Sequence, residues 1–317
     1  MPTDYKDGLS IYGGVPLLPS NNSRTVFGKH WFVDGNLGSD NNKGDRRNRP
    51  LATFTKAFTL ISSGDVIHFK GNVREQATTP AGVFDVTIIG STEVTRHPDT
   101  HTTNGGFSSC RWNAPATPTA STPLLKIQQQ GWRVINVLFT GDEDDSVGCI
   151  QLYRDGGSDS DERDASHAEI VGCRFQAGLY GIQDSGGCAR VKIRGCEFLL
   201  FSVSDNDAIV NVTGAGIGTL WGWEISDNVF HGNYSDIDAA LTGARIIRNH
   251  FVLTSLGTTN TIAIDTTGGS RNLIAQNFMY SDSALASSIN ARFVVGSADI
   301  YSDNHYSDKV EYAEPAE

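Results

Sequence analysis

The sequence predicts an all-β chain folded as a right-handed parallel β-helix, a solenoid of stacked three-strand coils with a short N-terminal capping helix and an extended N-terminal arm. Three observations predict it. A six-residue phrase recurs through the second half of the chain. Hydrophobic residues make up 38% of 317 residues and glycine numbers 34, which suits a thin core with many turns better than a thick globular one. One short amphipathic segment stands just ahead of the repeats, where an open solenoid end needs a cover.

The phrase reads aliphatic, two residues, Asn or Cys, one residue, aromatic. Its copies are Val134–Phe139, Ile170–Phe175, Ile193–Phe198, Ile225–Phe230 and Ile246–Phe251, with weaker ones at Ile274–Met279 and Tyr301–Tyr306. The aromatic positions are 36, 23, 32, 21, 28 and 27 residues apart, so constant strands are joined by loops of changing length. Physically the phrase is a strand, a corner and a second strand. An inward aliphatic residue ends the first strand, and an inward ring begins the next. Asn tolerates left-handed backbone and can bond to its counterpart one coil away, so Asn228, Asn249, Asn277 and Asn304 are expected to form a ladder. Cys173 and Cys196 hold the same register and are expected to stack as small apolar residues. A β-sandwich would require strict alternation and evenly spaced hairpin turns, which these segments lack.

The chain divides into an arm over 1–28, the β-helix over 29–306 and an acidic tail over 307–317. Gly13-Gly14, Pro16 and Pro19 break regular structure in the arm, yet Leu9, Ile11, Tyr12, Val15, Leu17 and Leu18 are apolar. An arm of that composition is expected to pack on something: this chain, a sister subunit or another protein. Trp31-Phe32-Val33-Asp34 opens the first coil and a polar loop follows over 38–44. Phe54, Ala57, Phe58 and Ile61 are spaced as one face of a short helix that plugs the coil. Gly64-Asp65-Val66-Ile67-His68-Phe69 then reads as a strand.

At these residues the chain resembles the N-terminal region of pectate-lyase-like β-helix proteins. The matching elements are Phe32-Val33-Asp34, Gly38-Ser39-Asp40, Gly44, Pro50, Thr53, Ala57 and Gly64-Asp65-Val66-Ile67, and the likeness covers Phe32 to Gly71. It implies a fold and says little of function. With the preceding Gly8-Leu9-Ser10 and Gly13-Gly14-Val15-Pro16, the region looks like β-helix proteins that tailed bacteriophages carry beside their capsid genes. That resemblance implies a homotrimeric virion surface protein, a head decoration protein or a spike. Its partner would be the major capsid protein, with surface glycan as an alternative, and its place the capsid surface after synthesis in the host cytoplasm.

Charge and composition exclude other classes. The net charge is −11, which repels phosphate backbones and anionic membranes, so no nucleic acid and no membrane is expected as partner. No apolar run approaches the ~20 residues of a membrane helix. The first residues lack the basic and apolar regions of a secretory signal. Five cysteines, Cys110, Cys149, Cys173, Cys188 and Cys196, have no metal-ligand spacing and are expected to be free thiols.

A search for chemistry yields no catalytic set, no metal site and no cofactor motif. Asp142-Glu143-Asp144-Asp145 and the group Asp155, Asp159, Asp161, Glu162 and Asp164 read either as solvated loops or as a Ca²⁺ or carboxylate site; the solvated reading is preferred because no rigid spacing makes their oxygens converge. Asp34, Asp40 and Asn41 are expected to be turn residues before cation ligands. The eight histidines show no metal phrase, and His250 and His305 are expected to face solvent. Ser202-Val203-Ser204 and Ser185-Gly186-Gly187 lack a nucleophile elbow. Gly214–Gly218 reads as a turn, and Lys192-Ile193-Arg194 as a coil strand. Trp221 and Trp223 alternate, which on a strand sends both rings to one face; outward they form a contact surface, inward they fill core, and the contact surface is preferred. The reading adopted is a non-enzymatic trimeric capsid decoration protein. The alternatives are a tailspike-like polysaccharide hydrolase or lyase, and a non-cleaving glycan-binding protein.

Overall fold

The computed structural model describes residues 28–91, 110–142, 144, 146–155, 163–201, 207–211, 220–253, 262–281, 293–294, 296, 298–307 and 312–313. Apart from one five-residue helix its elements are strands, and they stack as a parallel β-helix. The six-residue arm stretch Leu9, Ile11, Tyr12, Val15, Leu17 and Leu18 lies outside the described residues.

Three parallel sheets form the walls. The first runs from His30–Asp34 through Val66–Arg74, Thr87–Gly90, Arg133–Ile135, Glu169–Val171, Lys192–Arg194, Glu224–Ser226, Arg245–Ile247 and Leu273–Ala275 to Ile300–Ser302. The second runs from the end of Val66–Arg74 through Cys110–Asn113 and Leu138–Thr140 to His305–Ser307, where Tyr312–Ala313 adds an antiparallel strand. The third runs from Ala77–Thr78 through Leu125–Ile127, Ile150–Tyr153, Tyr180–Ser185, Asp207–Asn211, Ser235–Asp238 and Ile262–Asp265 to Phe293–Val294.

Because the pairing is in register, each inward position becomes a column. The first wall contributes Ile67, Ile88, Val134, Ile170, Ile193, Ile225, Ile246 and Ile274, all fully buried. The third contributes Leu125, Ile150, Ile182, Ile209, Ile237 and Ile264. The second carries rings. Trp112, Phe139, Phe175, Phe198, Phe230 and Phe251 stack in sequence, with centroids 5.6, 5.4, 4.8, 4.8 and 4.9 Å apart, and Met279 follows in register. Each buried ring contributes roughly 1.5–3 kcal/mol by leaving water, with a further gain from offset stacking.

The expected Asn ladder lies at the corner between the first and second walls. The Asn228, Asn249 and Asn277 side chains each donate from Nδ2 to the Oδ1 of the next Asn, at 3.0, 3.1 and 2.9 Å, ending on Asn304. Each Nδ2 also donates to a carbonyl of the coil before: Ile193, Ile225, Ile246 and, from Asn304, Ile274. Each Oδ1 also accepts the backbone N–H of the coil before, beginning with Cys196. Cys173 and Cys196 continue this column; all five cysteines are buried free thiols, and burial pushes the Cys196 thiol well above its usual range. The backbone differs from the expectation in one respect. The left-handed residue precedes the ladder position, at Asn136, Gly172, Gly195, Asp227, Arg248, Gln276 and Asp303. The ladder side chain must point inward under the turn, so its neighbour makes the turn; in the first copy Asn136 turns and Val137 takes the column place.

The N-terminal end is closed as the amphipathic spacing predicts. The helix Phe54–Phe58 is capped by Thr53, whose Oγ1 accepts from the Lys56 N–H at 3.0 Å. Glu75 accepts the Phe54 N–H at 2.5 Å, and the Thr55 N–H and hydroxyl at 3.0 and 2.6 Å. Phe54 lies flat on Trp112, centroids 4.0 Å apart, so the ring column ends on the cap. Asp40 holds the entry loop by accepting from Ala52 N, Thr53 N and the Thr53 hydroxyl.

Two outcomes test this framework. Asn249→Ala leaves buried amides and carbonyls of two coils unsatisfied, and should lower unfolding free energy by roughly 2–4 kcal/mol; a melting temperature unchanged from wild type would contradict the ladder. His68 is buried and shares a 2.8 Å bond with His30 (Nδ1 of His30 to Nε2 of His68). Burial, with the nearby His30 and Arg47 charges, lowers its pKa to about 4. The unfolded chain therefore takes up this proton first as pH falls, so stability is full above pH 6.5 and declines toward about pH 4 by on the order of 3 kcal/mol. The melting temperature of His68→Gln should lose that part of the pH slope; an identical slope would rule the histidine out.

Candidate functional site

The outer walls carry whatever chemistry the fold leaves free, because the interior is a closed column of apolar side chains. In a parallel stack, outward residues of adjacent coils face one another about 4.8 Å apart. Along the first wall they alternate in sign. Glu169 bridges Arg133 at 3.2 Å and Lys192 at 3.1 Å, and Glu224 and Arg245 follow in register. On the second wall Arg174 pairs with Glu197 at 3.4 Å. These ladders stabilise stacking.

The third wall departs from alternation. Asp238 and Asp265 are register neighbours, two carboxylates one rung apart on the outer face. Partial desolvation of the otherwise exposed Asp238, with the Asp265 charge behind it, raises its pKa above the carboxylate norm. Asp265 Oδ1 accepts the Thr267 N–H at 2.8 Å, which fixes one partner while the other stays exposed. Nearby, Asp236 is buried; its Oδ1 accepts from Asn233 Nδ2 at 2.8 Å, and burial together with Asp207 pushes its pKa well up. Two carboxylates held one rung apart, one with its pKa raised, form the donor set of an acid and a base.

A second feature lies at the corner between the third and first walls. His167, Arg190, Gly222, Gly243, Arg271 and Ala298 take left-handed backbone in successive coils, so their Cα atoms line one ridge. Trp221 sits on this ridge, half exposed, with the Arg190 guanidinium 5.1 Å from its ring centre. A Cβ added at Gly243 would come within 3.5 Å of the Trp221 Nε1, so the ring edge rests over bare backbone. Trp223, paired with Trp221 by the sequence reading as contact surface, is instead in the core. It is 1% exposed, and its Nε1 donates to the Cys188 carbonyl at 2.7 Å. Gly222 explains the divergence: its φ of 67° turns the chain between the two rings, so period-two alternation does not apply.

The other sequence candidates separate. Asp34 accepts from Asn36 and Leu37 N–H groups and Asp40 from Ala52 and Thr53, so both are committed to turns. Asp155 accepts from Arg163 N, and Asp164 from Gln130 Nε2 and Ser166 N. Glu143, Asp145, Asp159, Asp161 and Glu162 lie outside the described residues, as do Ser202-Val203-Ser204 and Gly214–Gly218. Among the described residues, no three His, Cys, Asp or Glu side chains gather as a metal site. No helix is long and apolar enough to cross a membrane. His250 is exposed at its corner, as expected. Ser185-Gly186-Gly187 is a turn tied by buried Asp184, which accepts from Gly186, Gly187 and Cys188 N–H groups at 3.3, 2.7 and 2.9 Å.

Sequence reasoning missed the Asp238–Asp265 pair. The signal was present, an Ile-Asp dipeptide on the third strand of two consecutive coils, but loops of unequal length hid their common register.

No family model and no curated protein matches the chain. Among solved structures, it is similar to PfbA, a surface adhesin of Streptococcus pneumoniae, at TM-score 0.43 and 14% identity over 80% of this chain and 65% of that one. It is similar to a rhamnogalacturonan lyase at TM-score 0.40 and 14% identity, over 92% and 66%. It is also similar to the native GH136 lacto-N-biosidase from Eubacterium ramulus at TM-score 0.39 and 10% identity, over 88% and 68%.

Proposed function

We propose that the protein is a non-enzymatic structural β-helix that assembles as a homotrimer on a virion surface, decorating the major capsid protein. The observation that carries this reading is a change of character on the outer wall. In the first wall, the outward row Arg133, Glu169, Lys192, Glu224, Arg245 gives way to Leu273 and Ile300 in the last two coils. In the second wall the row reaches Phe278 after Glu197, Val229 and His250. Ile300 is 61% exposed and Phe278 36%, one on each of the two walls in the last two coils. Exposed apolar side chains of this kind are stabilised by burial against another subunit. Three copies, and the capsid as destination, come from the resemblance of residues 8–71 to phage β-helix proteins.

The wild-type protein should sediment at three times 34.2 kDa, and Phe278→Glu with Ile300→Glu should yield a folded monomer. A stable wild-type monomer at micromolar concentration would end the trimeric reading. Purified virions should hold the protein at head-shell stoichiometry; a handful of copies at the tail would end the capsid assignment.

The Asp238–Asp265 pair favours a second reading, cleavage of a surface polysaccharide. Carboxylates one rung apart stand at about 5 Å, the spacing of retaining glycoside hydrolases. Incubation with host polysaccharide would then release reducing ends, and Asp238→Asn should lower the rate at least about 100-fold. No product from wild type, or equal product from the variant, excludes this pair as a cleaving site.

A further inference from the structure

We propose that the ridge around Trp221 is a binding site for a sparsely charged acidic saccharide, lying along the solenoid axis between Arg190 and Arg271. The argument starts with the corner geometry. Arg190, Gly222, Gly243 and Arg271 occupy the same left-handed position in four successive coils, tied by backbone bonds from Arg190 N to Trp221 O, Gly222 N to Thr242 O and Gly243 N to Ser270 O at 2.7, 2.9 and 2.9 Å. The two arginines are therefore three rungs apart, about 14 Å at the usual interstrand spacing. Both are exposed, and neither has a carboxylate within ion-pair distance among the described residues. The wall cations Arg133, Arg174 and Lys192 are by contrast paired with glutamates.

Between the arginines the ridge carries two glycines, with the Arg190 stem passing beside Gly222 and the Trp221 ring edge beside Gly243. Gly222 and Gly243 bring no side chain, and Trp221 lays a half-exposed ring into the gap with one face under Arg190. An aromatic face beside a trough of backbone is what a sugar ring stacks on, its C–H groups on the π-system and its hydroxyls on nearby carbonyls. Guanidinium forks at both ends select carboxylate, sulfate or phosphate substituents. A dense polyanion fits poorly: DNA, with a charge every ~1.7 Å, would meet only these two cations on the ridge, on a chain of net charge −11. A saccharide with one anionic group every few sugars matches both the spacing and the surroundings. The site uses none of Phe278, Ile300, Asp238 and Asp265, so its test is separate from the tests of those readings.

Trp221 fluorescence and calorimetry on the full chain provide the test. The probes are oligogalacturonate, sialylated oligosaccharides and a phosphate-bearing teichoic oligomer, set against neutral malto-oligosaccharide and single-stranded DNA. At least one acidic saccharide should bind saturably, weaken with added salt, and shift Trp221 emission, while the neutral glycan and DNA bind more weakly. Trp221→Ala should weaken that binding at least about tenfold, and Arg271→Gln, an exposed change that leaves the core untouched, should weaken acidic binding and spare any neutral binding. Sedimentation of the same samples reports the oligomeric state separately. No acidic probe binding, DNA binding more tightly than every saccharide, or full affinity in both variants would overturn the proposal.

Discussion

A parallel stack places each side chain about 4.8 Å from its counterpart in the next coil, so a register position must hold something that tolerates a copy of itself. Isoleucine does so by nesting methyl groups, phenylalanine by offset stacking, and asparagine by donating to and accepting from its own kind. Those three residue types dominate the inward columns and the C-terminal half of the corner. Asparagine is the most demanding. Its amide uses both hydrogens and its carbonyl accepts twice, so a coil shifted by one residue would bury several unsatisfied groups at once. Apolar columns alone would resist such a slip less sharply, because one aliphatic residue packs nearly as well on another. The ladder therefore sets register, and the rings and aliphatic residues supply most of the stabilisation.

The corner column changes chemistry along its length, from Cys110, Val137, Cys173 and Cys196 to Asn228 and beyond. Cys196 marks the join: its backbone N–H donates to Asn228 Oδ1 at 2.8 Å, while its thiol contacts the carbonyls of Ile170 and Arg194. In the N-terminal coils small apolar side chains suffice, because the cap helix and the Phe54–Trp112 stack already fix that end. The C-terminal coils have no helix over them among the described residues, and the Asn column supplies there the register that the cap supplies at the start.

What was legible in the sequence follows from the same constraint. The ring and Asn positions lie six residues apart or fewer within one phrase, so variable loops never come between them, and the phrase survives as a repeat. The third wall is separated from the ring by loops that put Ile182 and Ile237 seven residues after their rings but Ile264 thirteen after Phe251. Its register is fixed only by folding, and the Asp238–Asp265 pairing with it. Trp223 failed for a different reason. A period-two argument assumes an unbroken strand, and Gly222 in left-handed backbone ends the strand between the two tryptophans. The cap was readable because helix spacing, the Thr53 cap and the buried face all fall within one continuous segment.

A self-matching stack also makes its exceptions informative. Like carboxylates one rung apart repel, apolar side chains on a wet wall forgo burial, and a large ring on a ridge of glycines has no counterpart to stack on. Asp238 with Asp265, Phe278 with Ile300, and Trp221 each break the pattern that the neighbouring coils obey. None of the three is required by the core, since the columns behind them continue unchanged through Ile237, Ile274 and Ile225. Local departures of this kind persist when something outside the chain compensates for them. They lie on different walls, one on the third, one across the first and second at the far end, and one on the ridge between the third and the first. A single solenoid can therefore offer separate faces to a sister subunit and to a ligand without either contact disturbing the column that holds the coils together.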